Sequence, residues 1–313
     1  MKYKSCHYLE TGLFFDINRV SHCCSCTADQ NPIIINGYKG QKVKWEKLID
    51  LKRQIKNKCS QGEIPFKVCE NCSHFVEKEK EDDERMSHIV VSTWVQCNSS
   101  CIYCNKNHGE TKLQYEVLPI LKELNKKNLI RFNEEFTFIG GEVSLFKEFN
   151  PIVDFLLKNN QKRIFIPTSG IKFEKSIIKV LESGSGMVTI SPDAGSRELY
   201  KKIKQVDCYD KVRKNMFLYN KAAKKGNSLF RSKYIIIPQV NDSLKDIDMW
   251  IKECLELEIN HIALDLELHY SLSKQAQNKD HILKLYDYVV EQADKYGFDL
   301  NIFYIFRQFK HSL

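Results

Sequence analysis

From residue 88 onward, short apolar runs rich in β-branched residues alternate with longer runs in which apolar residues recur every three or four positions. The short runs fit buried strands of a parallel sheet, and the longer runs fit amphipathic helices. This alternation predicts an α/β fold built from six βα units. The predicted strands cover residues 88–94, 135–139, 163–167, 187–191, 232–237, 261–267 and 299–306. The predicted helices cover residues 113–127, 151–159, 174–182, 196–204, 211–225, 244–257 and 280–296.

Shorter elements precede this region. Residues 13–17 and 32–36 fit short strands, and Asn18 fits a hairpin turn because Asn tolerates positive φ. A charged run without apolar period, residues 77–85, predicts a linker or a solvated helix end. A helix is predicted over residues 44–58, with one apolar face formed by Trp45, Leu48, Leu51 and Ile55.

The composition is typical of a soluble globular protein, with 42% apolar and 28% charged residues among 313. No apolar run approaches the roughly 20 residues that span a bilayer. No long apolar core follows the first charged residues, so we expect no signal peptide and a cytoplasmic location.

The net charge is +8, and the lysines are scattered along predicted helices. A nucleic-acid partner would need them gathered on one surface with aromatic residues between them, which the sequence does not indicate. An anionic substrate, such as a phosphorylated or nucleotide-linked sugar, is compatible with this charge but not implied by it.

Ten of the twelve cysteines precede residue 105, and such clusters in a reducing compartment are typical of metal ligands. Cys97, Cys101 and Cys104 form a C-x3-C-x2-C motif in the loop after the first predicted strand. A cubane iron–sulfur cluster takes four thiolates, so three would leave one iron open to an exogenous ligand. Structural zinc is the alternative; it takes four N or S ligands, and His108 could complete that set.

With Tyr103 as its aromatic residue, this motif resembles that of the radical S-adenosylmethionine (SAM) superfamily. The resemblance implies a [4Fe-4S] cluster on the three cysteines, with SAM bound at the open iron and contacted by Tyr103. It implies that an electron, from a donor such as flavodoxin or ferredoxin, cleaves SAM to methionine and a 5′-deoxyadenosyl radical that abstracts a substrate hydrogen. It also implies a partial (β/α)6 TIM-like barrel over residues 87–313.

A second motif, Gly140-Gly141-Glu142, closes the second predicted strand. Glycines allow a close backbone approach to a ligand, and a carboxylate can receive a charged amine. The motif resembles the G-G-E-P sequence with which the family binds the SAM amino group, although Val143 replaces the proline. The alternative is an ordinary turn between a strand and a helix.

Further polar residues end the third and fourth predicted strands. Ser191 and Asp193 resemble the S-x-D-A stretch of the family, which implies contact with the SAM ribose, and Asp193 is also a candidate for substrate contact and catalysis. Thr168 and Ser169 are candidates for SAM contact, with capping of the following helix as the alternative.

Residues beyond these motifs are weaker candidates. Cys208 follows the fourth strand, where some members of the family use a cysteine to return a hydrogen atom, although a buried structural cysteine is the alternative. Cys254, on an amphipathic helix, fits packing. Alternation along the strands allows Lys233, Asp265 or Glu267 to face the interior of the barrel.

The N-terminal cysteines resemble those of the SPASM/twitch modules that hold auxiliary clusters in this family. The resemblance implies a small cysteine-rich α+β module at residues 1–76, a linker at 77–86, and an auxiliary iron–sulfur cluster. Cys24 and Cys26 are alternatives to Cys23, Cys59 is a spare cysteine, and a zinc ribbon is the competing interpretation. The implied cluster ligands are Cys6, Cys23, Cys69 and Cys72.

The expected function is therefore that of a radical SAM enzyme acting by oxidation, epimerisation or bond formation on a small or sugar-type substrate. A peptide-modifying maturase of the RiPP type is an alternative. A non-enzymatic zinc or iron–sulfur protein is the alternative from another class.

Overall fold

The predicted alternation of strands and helices is present in the structure, with bounds shifted by a few residues, except that the last helix begins at Leu272 rather than at residue 280. The computed structural model describes residues 2–17, 19–23, 35–36, 45–72, 74–80, 82–104, 115–267 and 272–303. The chain divides into two compact units. The first comprises residues 1–96, 109–141 and 146–165, and the second comprises residues 97–108, 142–145 and 166–313.

The first unit is built around parallel strands that continue into an antiparallel meander. β6 pairs in parallel with β2 and β7, and β3 pairs antiparallel with β2 and β4. The α-helices and strands of this unit are β1 (Lys2–Ser5), α1 (His7–Thr11), β2 (Gly12–Asp16), β3 (Arg19–Ser21), β4 (Ile35–Asn36), α2 (Trp45–Ser60), β5 (Val76–Glu79), β6 (His88–Ser92), α3 (Val117–Lys126), β7 (Glu135–Phe138) and α4 (Phe149–Lys158).

The second unit continues the βα alternation. Its strand order is β8-β9-β10-β11-β12, and β10 lies parallel to both β9 and β11. Strand β8 covers Arg163–Thr168, of which residues 166–168 belong to this unit. The elements that follow are α5 (Lys175–Glu182), β9 (Gly186–Ile190), α6 (Arg197–Lys204), α7 (Tyr209–Gly226), β10 (Leu229–Ile236), α8 (Leu244–Glu256), β11 (His261–Leu266), α9 (Leu272–Tyr296) and β12 (Asp299–Ile302).

The predicted α/β class with a mostly parallel sheet is confirmed. The apolar strand residues are buried as expected, for example Ile89 and Val91 of β6 and Val188 and Ile190 of β9. Among the described helices, none is both long enough and apolar enough to cross a membrane.

The N-terminal residues differ from expectation in two ways. The charged run predicted as a linker begins inside β5, which pairs antiparallel with β1. The buried ion pair between Lys78 and Glu10, at 2.9 Å, accommodates the charges of this strand. In addition, β2 pairs with β6, so the N-terminal residues share a unit with the first predicted barrel strand. The predicted division into a cluster-binding module ending at residue 76 and a barrel beginning after residue 86 stays a prediction.

The predicted strand at residues 13–17 corresponds to β2, whereas its antiparallel partner β3 was not predicted. Of the strand predicted at residues 32–36, the structure describes residues 35–36, which form β4. Phe14 pairs with Ser21 and Phe15 with Val20 across β2 and β3. Asn18, the predicted turn residue, lies outside the described residues.

Candidate functional site

The loop that carries Cys97, Cys101 and Cys104 curls back on itself. The Ser99 hydroxyl lies 3.4 Å from Cys97 Sγ and 3.6 Å from Cys101 Sγ, so two thiols converge on one side chain. The Cys104 N–H donates to the Cys101 carbonyl at 2.9 Å. Cys104 is exposed and the other two cysteines are half-buried, as a loop that receives a ligand requires.

The end of α6 holds this loop in place. The Ser100 N–H donates to the Lys204 carbonyl at 3.1 Å, and the Ile102 N–H donates to the Ile203 carbonyl at 3.0 Å. The last carbonyls of a helix lack partners within the helix, so they are available to another segment. Gln205 ends α6 in the left-handed conformation, with φ of 57°.

Asp193 and Lys204 form a second attachment through Tyr103. The Tyr103 hydroxyl donates to Asp193 Oδ2 at 2.6 Å and accepts from Lys204 Nζ at 2.8 Å. Lys204 Nζ lies 2.5 Å from the same carboxylate oxygen. Burial holds the pKa of Tyr103 well above its usual value, and the charges of Asp193 and Cys101 add to this effect. The hydroxyl therefore keeps its proton and remains a donor.

Asp193 is fully buried and contacts the protein through all its polar side-chain atoms. Its Oδ1 accepts from the Ile235 N–H at 2.8 Å, and its carbonyl accepts from Asn241 Nδ2 at 2.9 Å. Its φ is +56°, an uncommon conformation for a residue other than glycine. Asp193 thus joins the cysteine loop, the end of β9 and β10. Its predicted roles in ribose contact and catalysis stay predictions.

Glu142 is hydrogen-bonded to the end of β8. Its carboxylate accepts from the Thr168 hydroxyl at 2.7 Å, from the Ser169 N–H at 2.6 Å and from the Ser144 N–H at 3.2 Å. The side chain is buried. A carboxylate can accept about four hydrogen bonds, so these three protein donors leave room for one more, such as an amino group.

Thr168 and Ser169 do not cap the following helix, so the capping alternative is wrong. Glu174 is the N-cap of α5 and makes no side-chain capping bond. The Ser169 hydroxyl instead donates to Asn98 Oδ1 at 2.9 Å, inside the cysteine loop. The Glu142 segment, the end of β8 and the cysteine loop are therefore linked by hydrogen bonds.

Gly140 and Gly141 lie directly against another segment of the chain. A Cβ on Gly141 would lie 2.1 Å from the Gln96 carbonyl oxygen, and one on Gly140 would lie 2.8 Å from Trp94. The Gly141 N–H donates to the Trp94 carbonyl at 3.1 Å. The glycines allow the chain to pass directly against the segment that leads into Cys97. Their contact with SAM stays a prediction.

Cys208 and Ser191 both belong to the second unit. Cys208 is half-buried at the N-cap of α7, and Ser191 is half-buried after β9. Burial raises the pKa of Tyr200, and the charges of Cys208 and Cys101 raise it further. Tyr200 therefore lies within electrostatic range of both cysteines.

The four N-terminal cysteines also influence each other. Burial raises the pKa of Cys69 to about 12, and the charges of Cys23, Cys72 and Cys6 add to that effect. Burial likewise raises the pKa of Cys6 to about 11. Such mutual destabilisation of thiolates is what a bound cation relieves.

Other residues of this region have separate roles or lie outside the described residues. Cys59 is buried in an apolar cluster that also contains Tyr3, Leu9, Ile55 and the proposed ligands Cys6 and Cys69, so its assignment as a spare cysteine stays a prediction. Cys24, Cys26 and His108 lie outside the described residues. Among the described residues, no three His, Cys, Asp or Glu side chains are already arranged around a metal position.

Sequence reasoning missed Lys52 and a cavity beside Cys6. Lys52 is buried on α2, and its ammonium donates to the carbonyls of Gly12 at 2.7 Å and Leu9 at 3.2 Å. Burial lowers its pKa to about 7. The cavity, of about 280 Å³, is lined in part by His7, His74, His88 and Glu135. Neither feature has a signal in the local sequence.

The donor set of the cysteine loop fits an iron–sulfur cluster. Thiolates are soft ligands that favour such clusters, and two of the three already converge on Ser99. The remaining acceptor position of Glu142 fits an amino group on a ligand at the same end of the strands.

Comparison with known proteins supports this assignment. A family model described as "Radical SAM superfamily" matches residues 91–251, slightly more than half of the chain. The chain is 32% identical over 125 residues to the probable GTP 3′,8-cyclase of Methanococcus aeolicus, covering 39% of this chain and 42% of that protein. It is 24% identical over 174 residues to the GTP 3′,8-cyclase of Pasteurella multocida, covering 54% and 51%. The chain thus spans about half the length of the curated relatives it matches.

Among solved structures, the fold is similar to that of SuiB from Streptococcus suis. The structure of SuiB bound to S-adenosylmethionine has a TM-score of 0.55 at 14% identity, covering 84% of this chain and 56% of SuiB. SuiB bound to its precursor peptide SuiA gives a TM-score of 0.52 at 14% identity, covering 82% and 62%. At this identity the similarity concerns the fold alone.

Proposed function

Since the chain belongs to the radical SAM superfamily, we propose that it cleaves SAM reductively and abstracts a hydrogen atom from a small or sugar-type substrate. A [4Fe-4S] cluster, when bound, supplies the electron for this cleavage. The observation that carries the proposal is the hydrogen-bonded link between the cysteine loop, Glu142 and Ser169.

Each residue of the site has a role in this proposal. Cys97, Cys101 and Cys104 hold the cluster and leave one iron for SAM. Glu142 receives the SAM amino group, oriented by Thr168 and the Ser169 N–H. The loop that carries the cysteines is fixed by Asp193 through Tyr103, so the ligand site is preorganised. Ser191 contacts the SAM ribose. Cys208 is the candidate for returning a hydrogen atom to the substrate.

The names of the relatives support a substrate of the sugar type. The curated relatives are named for GTP, a nucleotide that contains ribose. Oxidation, epimerisation and bond formation are the outcomes compatible with hydrogen abstraction at such a substrate. A peptide-modifying maturase is the second candidate, and it predicts SAM cleavage that depends on a peptide rather than on a sugar.

The N-terminal cysteines complete the proposal. In this proposal Cys6, Cys23, Cys69 and Cys72 hold an auxiliary iron–sulfur cluster, as the resemblance to SPASM/twitch modules implies. The electrostatic interaction of Cys6 and Cys69 with both Cys23 and Cys72 is compatible with this ligand set. An electron donor such as flavodoxin or ferredoxin reduces the protein in this scheme.

Release of 5′-deoxyadenosine tests the proposal. Protein reconstituted with iron and sulfide is incubated anaerobically with dithionite and SAM, and the product is quantified by chromatography. The wild type should release 5′-deoxyadenosine, and Cys101→Ala should reduce release to background. Cys208→Ala, which leaves the cluster ligands intact, should retain release.

The outcome also separates the alternative classes. If protein with a fully assembled [4Fe-4S] cluster on Cys97, Cys101 and Cys104 released no 5′-deoxyadenosine, the proposal would be overturned. A colourless protein that holds zinc alone would support the non-enzymatic binding protein.

A further inference from the structure

One face of β10 packs against helices, and the other carries basic side chains. Ser232 accepts a hydrogen bond from Trp250 of α8 at 2.9 Å, and the Tyr234 ring packs on the same Trp250. Phe230 packs against Tyr219 of α7. Because side chains alternate along a strand, Arg231 lies on the opposite face, away from these helices. Lys233 shares that face.

Arg231 is buried without a hydrogen-bonding partner for its Nε. The residue is 8% exposed, and its Nε makes no hydrogen bond to any described residue. The Phe303 ring lies 5.7 Å from the guanidinium carbon. A guanidinium stays charged in proteins, and a buried charge is normally paired. The position therefore calls for an anion.

Thr189 provides a second, independent observation. It is the register partner of Arg231 on β9, so the two side chains share a face. Thr189 is 3% exposed, and its hydroxyl has no hydrogen-bonding partner among the described residues. Two neighbouring buried polar groups thus lack partners at the same position of the sheet.

The charges on this face leave an excess of positive charge. Lys233 pairs with Asp265 at 3.3 Å, and Asp265 Oδ1 also accepts from the Leu266 N–H at 3.0 Å. Asp299 influences Arg231 electrostatically but bonds to His261 at 2.8 Å and is largely exposed. The buried carboxylate Asp265 thus pairs with Lys233, and the carboxylate that acts on Arg231 is exposed and shared with His261.

We propose that Arg231, Thr189 and Lys233 bind an oxyanion, a phosphate or carboxylate group of the substrate. This inference rests on the proposed function, because only that function identifies the bound ligand as a substrate. Arg231 supplies paired N–H donors, Thr189 supplies a hydroxyl donor, and Lys233 supplies a second positive charge.

The position suits a substrate of the proposed reaction. Ile235, on the same face of β10, donates its N–H to Asp193 at 2.8 Å. Lys233 and Arg231 precede it by two and four residues, which corresponds to about 7 and about 13 Å along the strand. A substrate held by its anionic group at Arg231 can therefore extend along β10 toward Asp193.

Calorimetric titration of the reconstituted protein tests the site. Sodium pyrophosphate and sodium citrate serve as separate probes for phosphate and carboxylate groups, and GTP is compared with guanosine as a nucleoside without phosphate. We expect saturable binding of pyrophosphate or citrate to the wild type, and binding of GTP but not guanosine if phosphate is the preferred group. Arg231→Met should weaken this binding at least tenfold, and Thr189→Val about threefold. The exposed Arg53→Gln should leave it unchanged.

A structural role for Arg231 predicts different results. If Arg231 stabilises the fold, the Arg231→Met variant should have a lower melting temperature than the wild type. If Arg231 serves to bind a ligand, the variant without ligand should have an equal or higher melting temperature. Arg231→Lys, which keeps the charge but not the paired donors, should bind with intermediate affinity. Equal binding by the wild type and Arg231→Met, or no binding of any probe by the wild type, would overturn the inference.

The result is independent of the test of SAM cleavage. Release of 5′-deoxyadenosine by a protein that binds no probe would remove the oxyanion site and leave the proposed function intact. Binding that depends on Arg231 in a protein that never cleaves SAM would retain the site and remove the proposed function.

Discussion

Lys204 and Asp193 form a buried ion pair with a separation of 2.5 Å, and Tyr103 of the cysteine loop hydrogen-bonds to both side chains. The pair connects the end of α6 with the residue that follows β9. Because α6 also receives two N–H groups of the cysteine loop, the position of the cysteines depends on this pair.

Removing Lys204 should therefore destabilise both the fold and the cluster. Lys204→Met leaves the Asp193 carboxylate buried without its cation, and breaking a buried pair in this way costs about 3–5 kcal/mol. We expect this loss in urea unfolding, together with reduced iron retention after reconstitution. Lys201→Met, on the same helix but 65% exposed, should cost less than about 1 kcal/mol. Equal losses in the two variants would contradict the structural role of the pair.

Gly141 should tolerate no side chain. A Cβ at this position would lie 2.1 Å from the Gln96 carbonyl oxygen, so Gly141→Ala must displace backbone beside the cysteine loop. We expect a loss of about 3 kcal/mol in urea unfolding, the upper part of the usual range for overpacking. Gly62→Ala is the matched control, because Gly62 has a φ of +82° but no atom within 4 Å of its Cβ position. It should cost about 1 kcal/mol from backbone strain alone. A smaller loss for Gly141→Ala than for Gly62→Ala would show that the contact is readily relieved.

The sequence predicts the strands and the residues at their ends, because both depend on local composition and on the geometry of a parallel sheet. Short β-branched runs such as residues 88–92 have little alternative to a buried strand. The carboxyl ends of parallel strands meet at one edge, so Glu142 and Thr168 come together although they are far apart in sequence.

The partners of Asp193 could not be predicted in this way. Lys204 is one of several lysines on α6, and Asn241 lies in a loop after β10. Their contacts depend on the left-handed conformations of Asp193 and Gln205, which no glycine marks in the sequence. Arg231 was missed for a simpler reason: the predicted strand began at residue 232, whereas β10 begins at Leu229, so alternation was not extended to it.

Stability should depend on pH through Glu253 of α8. Burial raises the pKa of this carboxyl to about 7 from its usual 4.5, against the opposing effects of Tyr209 and Arg213. Between these values the unfolded chain has released a proton that the folded protein still holds, so stability falls as the pH rises from 4.5 to about 7 and then levels off. Glu253→Gln remains uncharged and should flatten this dependence, with a gain of about 1–3 kcal/mol at alkaline pH.

Urea unfolding at several pH values measures the effect of Glu253. Glu256→Gln is the control, because Glu256 binds the same Arg213 but is 48% exposed. It should keep the pH dependence of the wild type. A Glu253→Gln variant that is less stable than the wild type above pH 7 would show that the charged pair with Arg213 outweighs the cost of burial.

The N-terminal cysteines should bind a second metal centre, in addition to the one on the cysteine loop. If they hold a [4Fe-4S] cluster, Cys72→Ser should lower the iron content of reconstituted protein from about eight to about four atoms per chain. Cys59→Ala should leave the iron content unchanged, because Cys59 is not one of the four proposed ligands. Since Cys97, Cys101 and Cys104 lie in the other unit, Cys72→Ser should still release 5′-deoxyadenosine. A zinc ribbon predicts a different result, in which Cys72→Ser loses about one zinc and no iron. Iron that is lost equally from Cys59→Ala and Cys72→Ser would mean that the effect reflects folding of this region rather than ligation.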